Sequence, residues 1–259
     1  MPRILIVESN PRDVSTALAA RAGATLADVY AAALSRIDPD AEIDIISPYD
    51  GDEIPDLDDF DGVVFTGSSV EWNTDDDRAA PLAEVMRAAF AAGRPVIGSC
   101  NGMQLAASVL GGSSAASSNG REDGMATGIE LTREGRTHPM MAGRRDGFAV
   151  PCTHRDEVVR LPDGAVRLAG NAHSKVQAFA IERDGIDFWG MQYHPEFSPA
   201  YVGRYLGGAG RVSPQVAGDL MVAASDADAA ARLSTSPDEQ ADDQRMLELR
   251  NWMARFRSG

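Results

Sequence analysis

Two short stretches carry the side chains needed to cleave an amide. The first, Gly98-Ser99-Cys100-Asn101-Gly102-Met103-Gln104, holds a cysteine between glycines; the second, Trp189-Gly190-Met191-Gln192-Tyr193-His194-Pro195-Glu196-Phe197, holds His194 and Glu196 two residues apart. A thiolate is a strong nucleophile, an imidazole takes and returns a proton, and a carboxylate orients the imidazole. Cys100, His194 and Glu196 therefore make a complete set for acyl transfer through a thioester. A free cysteine is more often a small buried apolar side chain, and Cys100 alone does not decide between the two readings. The base and carboxylate of the second stretch favour chemistry.

The elements around Cys100 place it. Arg94-Pro95-Val96-Ile97-Gly98 reads as a buried central strand, and Met103, Leu105, Ala106, Val109 and Leu110 recur at helical spacing until Gly111-Gly112. The chain must reverse within about two residues between them, and Gly98 and Gly102 remove the side chains that would clash there. The sulfur then lies at a helix N-terminus, where unpaired N–H groups favour a thiolate.

Upstream, Arg3 to Val7 is a short apolar run typical of a buried parallel strand. Residues 10–24 read as irregular, with Asn10-Pro11 and Gly23, followed by a helical stripe from Leu26 to Ile37 and a strand at Ile43 to Ile46. The Asp-rich segment 48–61 reads as an exposed acidic connection without ordered metal-ligand spacing; docking of a basic partner there is the lesser reading. Gly62 to Ser69 reads as a third strand ending in a small-residue turn at the same sheet edge as Cys100, where backbone N–H groups can meet an oxyanion. Leu82, Val85, Met86 and Phe90 mark a helix closing at Gly93, and residues 111–124 read as a Gly/Ser/Ala loop.

Short strands follow at 128–132, 147–151, 166–169, 176–182 and 187–191, separated by turn residues, which predicts an antiparallel extension of the parallel core. A helix begins at Pro199. Residues 213–256 read as polar helices that dock on the chain through Met246, Leu247, Leu249, Trp252, Met253 and Phe256. The whole chain, 1–259, reads as one domain, with a core to about 207 and a helical extension from about 208 to 259.

Composition narrows the partners. With 39 acidic and 24 basic residues, a formal charge of −15 and a pI near 4.6, the chain lacks the basic surplus that nucleic acid or an anionic membrane rewards. A small-molecule substrate fits better. Two cysteines, Cys100 and Cys152, allow at most one disulfide, which would consume the nucleophile; together with the lack of a signal-like or membrane-length apolar run this predicts a cytoplasmic protein. Cys152 reads as a strand residue, and pairing with Cys100 is disfavoured.

On these motifs the chain resembles the class I (triad) glutamine amidotransferases, in particular stand-alone proteins similar to the glutaminase half of GMP synthase. The resemblance covers roughly residues 1–200 and rests on three motifs in the family's order: a Gly-Ser turn after the third strand, Gly-x-Cys-x-Gly-x-Gln, and Gln-Tyr-His-Pro-Glu. It implies a flavodoxin-like α/β fold, an open, mostly parallel twisted sheet with helices on both faces and an antiparallel extension. It implies Cys100 as nucleophile, His194 as base and Glu196 as its orienting partner, with Gly67 and the N–H of Asn101 as oxyanion hole. Gln104 resembles a residue that holds the substrate, with Ser68, and with Arg121 and Glu122 in an Arg-Glu-x-Gly segment for which a surface turn is an equal reading. His154, in a His-x-Asp pair, is either a hydrogen-bonding structural residue, the favoured reading, or a substrate contact. His138 and His173 have no metal-ligand companion at useful spacing, so neither a metal nor an organic cofactor is expected.

The chemistry implied is hydrolysis of the γ-carboxamide of glutamine through a γ-glutamyl thioester, with ammonia passed to a separate synthase, since residues after 207 offer no phosphate-binding loop. The alternative is an independent hydrolase of γ-glutamyl amides or peptides. A non-catalytic glutamine-binding regulator is disfavoured by the intact triad. Residues 10–24 and 70–77 are expected to shape the pocket that separates these readings.

Overall fold

The computed structural model describes residues 1–256. The first half runs β1 (Arg3–Val7), α1 (Arg12–Ala22), α2 (Leu26–Ile37), β2 (Glu42–Ile46), β3 (Gly62–Phe65), α3 (Ala80–Ala91), β4 (Val96–Ser99) and α4 (Asn101–Val109). The second half begins with β5 (Ser113–Ala116), β6 (Glu122–Leu131), β7 (Phe148–His154), β8 (Asp156–Arg160), β9 (Val166–Gly170), β10 (Ala178–Arg183) and β11 (Ile186–Met191). It ends with α5 (Pro199–Gly208), α6 (Pro214–Val222), α7 (Ala227–Arg232), α8 (Pro237–Gln240), α9 (Asp242–Arg245) and α10 (Leu247–Met253).

Nine strands form one sheet in the order β2-β1-β3-β4-β11-β10-β9-β6-β7, with β5 and β8 as a separate antiparallel pair. Pairing is parallel from β2 through β4 to β11 and antiparallel beyond. The fold is the flavodoxin-like α/β arrangement, a mostly parallel sheet covered on both faces. Alternation along β1 shows why its apolar run is continuous: Ile4 and Ile6 pack with Tyr30 and Leu34 of α2 and Trp252 of α10. Leu5 and Val7 point the other way, to Leu82 and Met86 of α3 and Met103 of α4. Each such side chain removed from water stabilises the fold by about 1.5–3 kcal/mol. A third cluster joins α1, α5 and α6 through Leu18, Tyr201, Val202 and Leu220.

Two segments differ from their sequence reading. Residues 10–24 are not irregular, because Asn10-Pro11 begins a helix instead of breaking one. Pro11, with φ −61°, is its N-cap, and Gly23, with φ 99°, closes it by donating to the Ala19 carbonyl. Residues 111–124 are not a loop throughout. Ser113–Ala116 pairs with β8, a strand not foreseen, and β6 starts at Glu122, its register with β7 shifting between Ala126 and Ile129, where Gly128 adopts positive φ. Small polar residues carry little propensity of their own, and ladder pairing decides their conformation. Among the described residues no helix is long and apolar enough to cross a membrane.

Candidate active site

Parallel pairing of β4 between β3 and β11 brings the C-terminal ends of all three strands to one edge. Cys100 follows β4 at once, with φ 51° and ψ −104°, a strained conformation for a residue with a side chain. The turn is held by the Cys100 N–H, which donates to Met191 O at 2.7 Å, and by the Cys100 carbonyl, which accepts from Gln104 N at 3.0 Å. A Cβ on Gly98 would lie 2.7 Å from the Gly102 backbone, and one on Gly102 would lie 2.6 Å from Phe65 O. Both glycines are therefore required for the sharp reversal.

His194 and Glu196 follow β11 on the neighbouring track. His194 Nδ1 lies 2.6 Å from Glu196 Oε1, both side chains being almost fully buried, and its ring stacks on Phe197 with centroids 4.0 Å apart and planes 6° from parallel. The other carboxylate oxygen of Glu196 accepts from Ser99 Oγ at 3.1 Å, and Ser99 Oγ is 2.8 Å from the Tyr30 hydroxyl. Burial works against charge on His194, but the Glu196 carboxylate and hydrogen bonds with Cys100 and Glu196 outweigh it and raise the imidazole pKa to about 10. These contacts favour the protonated ring beside the Cys100 side chain, the arrangement for a nucleophile paired with a proton donor and acceptor. Sequence reading missed Ser99 and Tyr30, because their partners lie on other elements, and Phe197, whose stacking on His194 depends on how the segment after β11 turns.

The turn after β3 is fixed from beneath. Asn10 Oδ1 accepts from Ser69 N at 2.7 Å and from Ser68 Oγ at 3.0 Å. The Glu8 carboxylate in turn accepts from Asn10 N and Nδ2 and from Ala27 N in the first turn of α2. Gly67 lies against the imidazole: a Cβ there would come 2.6 Å from His194 Cε1. Asn101 is the first residue of α4, so its N–H has no intrahelical acceptor.

A cleft of about 540 Å³ opens over Cys100 and His194, and Ser68, Asn101, Gln104, Arg121 and His154 line it. Leu18 from α1 and Val70, Glu71 and Trp72 from the β3–α3 connection reach it, as do Tyr201, Tyr205 and Arg211, which motif reading missed. Gln104 also faces inward, its Nε2 donating to Asp156 O at 2.7 Å and to Gln192 Oε1 at 3.1 Å. Arg211 pairs with Asp123 and donates to Thr153 Oγ1 at 2.8 Å, bracing the strand whose Thr153 carbonyl is 3.8 Å from Cys100 Sγ.

Glu122 does not line the cleft. It lies behind His154, and its carboxylate accepts from Asn171 Nδ2, Gln177 Nε2 and His154 Nε2 at 2.7, 2.7 and 2.8 Å. His154 Nδ1 is 3.1 Å from Asp156 O. His173, which sequence spacing left without a companion, is brought beside this pair, with ring centroids 5.5 Å from His154 and candidate ligand atoms of Glu122, His154 and His173 within 4.8 Å. Sequence separation concealed this, since β6, β7 and the β9–β10 turn converge only in the fold. Three N–H donors already occupy the Glu122 carboxylate, so the cluster is a hydrogen-bonded support. Cys152 is a free, buried strand residue, and burial pushes its thiol pKa well up. His138 caps a short turn by accepting from Met140 N.

Residues 29–206 match the family glutamine amidotransferase class-I. A γ-glutamyl-L-1-hydroxyisopropylamide hydrolase from Pseudomonas sp is 42% identical over 142 residues, covering 54% of this chain and 48% of that protein. A glutamine-hydrolyzing GMP synthase subunit from Methanoculleus marisnigri is 36% identical over 115 residues, 44% of this chain and 58% of that protein. The chain thus matches about half the length of these curated relatives. A glutamine amidotransferase structure from Thermotoga maritima aligns over 98% of this chain and 97% of its own, with TM-score 0.68 and 18% identity. One from Methylobacillus flagellatus aligns over 97% and 90%, with TM-score 0.58 and 20% identity.

Proposed function

This chain belongs to the class I glutamine amidotransferase family, and on that premise we propose that it is a cysteine-dependent hydrolase of γ-glutamyl amides, with N-substituted amides as its preferred substrates. The observation that carries the reading is the assembled Cys100–His194–Glu196 group beneath a cleft of about 540 Å³. Leu18, Trp72, Tyr201 and Tyr205 on the cleft wall suit a substituent on the leaving amine. The name of the Pseudomonas relative, whose identity to this chain exceeds that of the GMP synthase relative, supports the same choice.

In this mechanism the Cys100 thiolate attacks the γ-carbonyl carbon, and the oxyanion accepts hydrogen bonds from the N–H groups of Gly67 and Asn101. Collapse breaks the C–N bond, and His194 gives its proton to the departing amine, leaving a γ-glutamyl thioester on Cys100. Water, deprotonated by the now neutral His194, attacks the thioester. Glutamate leaves, and the thiolate–imidazolium pair is restored. Glu196, fixed by Ser99, keeps Nδ1 protonated and the ring in place throughout. Gln104, Ser68 and Arg121 serve as substrate contacts on the cleft wall, while Glu122 acts only through His154.

A second reading, ammonia supply to a separate synthase, is favoured by the similarity to GMP synthases. Glutamate release from the purified full chain, with glutamine against a panel of N-alkyl γ-glutamyl amides and dipeptides and Cys100→Ala as blank, separates the two. Cys100-dependent cleavage at least tenfold faster for a substituted amide is expected. Preference for glutamine, or silence throughout, rejects the independent hydrolase in favour of a synthase-coupled glutaminase.

A further inference from the structure

The chain beyond residue 206 lies outside the family match, yet it sends two buried charged side chains to the stretch that carries His194 and Glu196. Arg245, at the end of α9 and 1% exposed, donates from its guanidinium to the carbonyl of Pro195, the residue between the imidazole and the carboxylate, and pairs with Asp242. Glu248, in α10 and fully buried, accepts from the hydroxyl of Tyr193, the residue before His194, at 2.7 Å. Arg144 holds Glu248 bidentately at 2.8 and 2.7 Å and donates to the Arg245 carbonyl at 2.8 Å, so the two tail residues share one brace.

The segment 193–196 is thereby gripped on alternate residues: Tyr193 and Pro195 engage the tail, while the side chains of His194 and Glu196 meet each other at the Cys100 edge. Burying an arginine and a glutamate is costly unless geometry and pairing are good, and an apolar contact would bury the same area without that cost. What charged hydrogen bonds add is direction. An imidazole that must return a proton to one face of a leaving amine loses rate steeply when displaced, about a hundredfold for 1 Å.

We infer that Arg245 and Glu248 are positioning residues for the His194–Glu196 pair, which makes the helical tail a working part of the active site. The inference rests on the proposed cysteine hydrolase reading. It is tested in the full chain with Arg245→Met, Arg245→Lys and, as a control on the tail, Arg232→Met, which breaks the Arg232–Asp219 pair away from the site.

Two readouts are taken, kcat and KM for γ-glutamyl amide cleavage, and the ratio of Cys100 alkylation rates by iodoacetamide at pH 6 and pH 9.5, which needs no substrate. Arg245→Met is expected to lower kcat about 10- to 100-fold with KM within about twofold. It is also expected to lower the alkylation ratio about tenfold, because a misplaced imidazolium holds less thiolate at pH 6. Arg245→Lys, which still donates to the Pro195 carbonyl, recovers most of both, and Arg232→Met changes neither. Wild-type values for folded Arg245→Met, or an equal loss in Arg232→Met, overturn the inference. If Arg245→Met does not fold, Glu248→Gln replaces it, with a fall in kcat of about threefold or more expected and an unchanged kcat overturning the inference. If the wild type cleaves no γ-glutamyl compound, the hydrolase reading fails while the alkylation ratio still decides the positioning role.

Discussion

Two buried histidine–carboxylate pairs flank the cleft, and they differ in one nitrogen. His194 spends Nδ1 on Glu196 at 2.6 Å and keeps its other nitrogen for Cys100. His154 spends Nε2 on Glu122 at 2.8 Å and has Nδ1 against the Asp156 carbonyl at 3.1 Å. The carboxylates differ in the same sense. Glu196 accepts from His194 and Ser99 and leaves the ring free to exchange a proton, whereas Glu122 is loaded by three N–H donors and belongs to a closed network. Burial and a short contact to a carboxylate are therefore shared by a candidate base and by a histidine whose two nitrogens both lie against fixed oxygen atoms. A second ring nitrogen left to face a nucleophile is what separates them.

Substitution should drive the two pairs apart in turnover. Removing the imidazole in His194→Asn is expected to lower γ-glutamyl amide turnover on the order of 10⁴-fold and also to destabilise the fold, because the buried Glu196 carboxylate loses its partner. His154→Asn is expected to keep turnover within about tenfold while reducing stability by about 1–3 kcal/mol, because it takes one of three partners from the buried Glu122 carboxylate. Equal losses of turnover in the two variants would erase the distinction.

The pairs should also fail at opposite ends of the pH scale. The fold favours protonated His194, whose pKa stands near 10 against 6.5 for free imidazole. Its contribution to stability is complete below about 6.5 and is lost as pH rises through about 10, where turnover should fall as the proton donor disappears. For Glu122, burial favours the neutral acid, but the hydrogen bonds from His154, Asn171 and Gln177 and the charge of His154 prevail, and its pKa lies below the ordinary 4.5. That contribution is present above 4.5 and lost as pH falls through the lowered value. A turnover profile read beside pH-dependent unfolding checks both limbs; a loss of turnover on the alkaline side well below pH 9 would contradict the His194 assignment.

How much of this was legible in the sequence follows the same division. Most of the parallel half could be read from local signals: continuous apolar strands, helical stripes and a glycine-flanked cysteine. Residues 10–24 were misread because Pro11 and Gly23 punctuate a helix from outside it, and 113–116 because a Ser/Ala strand exists only through its partner β8. Cys100, His194 and Glu196 stood out as types at close spacing. Tyr30, Ser99, Arg245 and Glu248 did not, because what they do depends on contacts between elements as many as 97 residues apart.

The smallest expected effect tests how far support extends behind Glu196. Tyr30 reaches the pair only through Ser99, its hydroxyl lying 2.8 Å from Ser99 Oγ, which itself donates to Glu196 Oε2 at 3.1 Å. In Tyr30→Phe the donor that Glu196 uses is retained and only one neutral, buried hydrogen bond is lost, worth about 1 kcal/mol. Turnover should fall no more than about fivefold, with the alkaline limb unmoved, since neither the Glu196 charge nor the Cys100 contact that raise the His194 pKa is touched. Ser99→Ala strips Glu196 Oε2 of its donor and should cost more in kcat. Equal losses in the two variants would mean that Tyr30, Ser99 and Glu196 act as one cooperative chain, and the boundary between working and supporting residues would then move outward to α2.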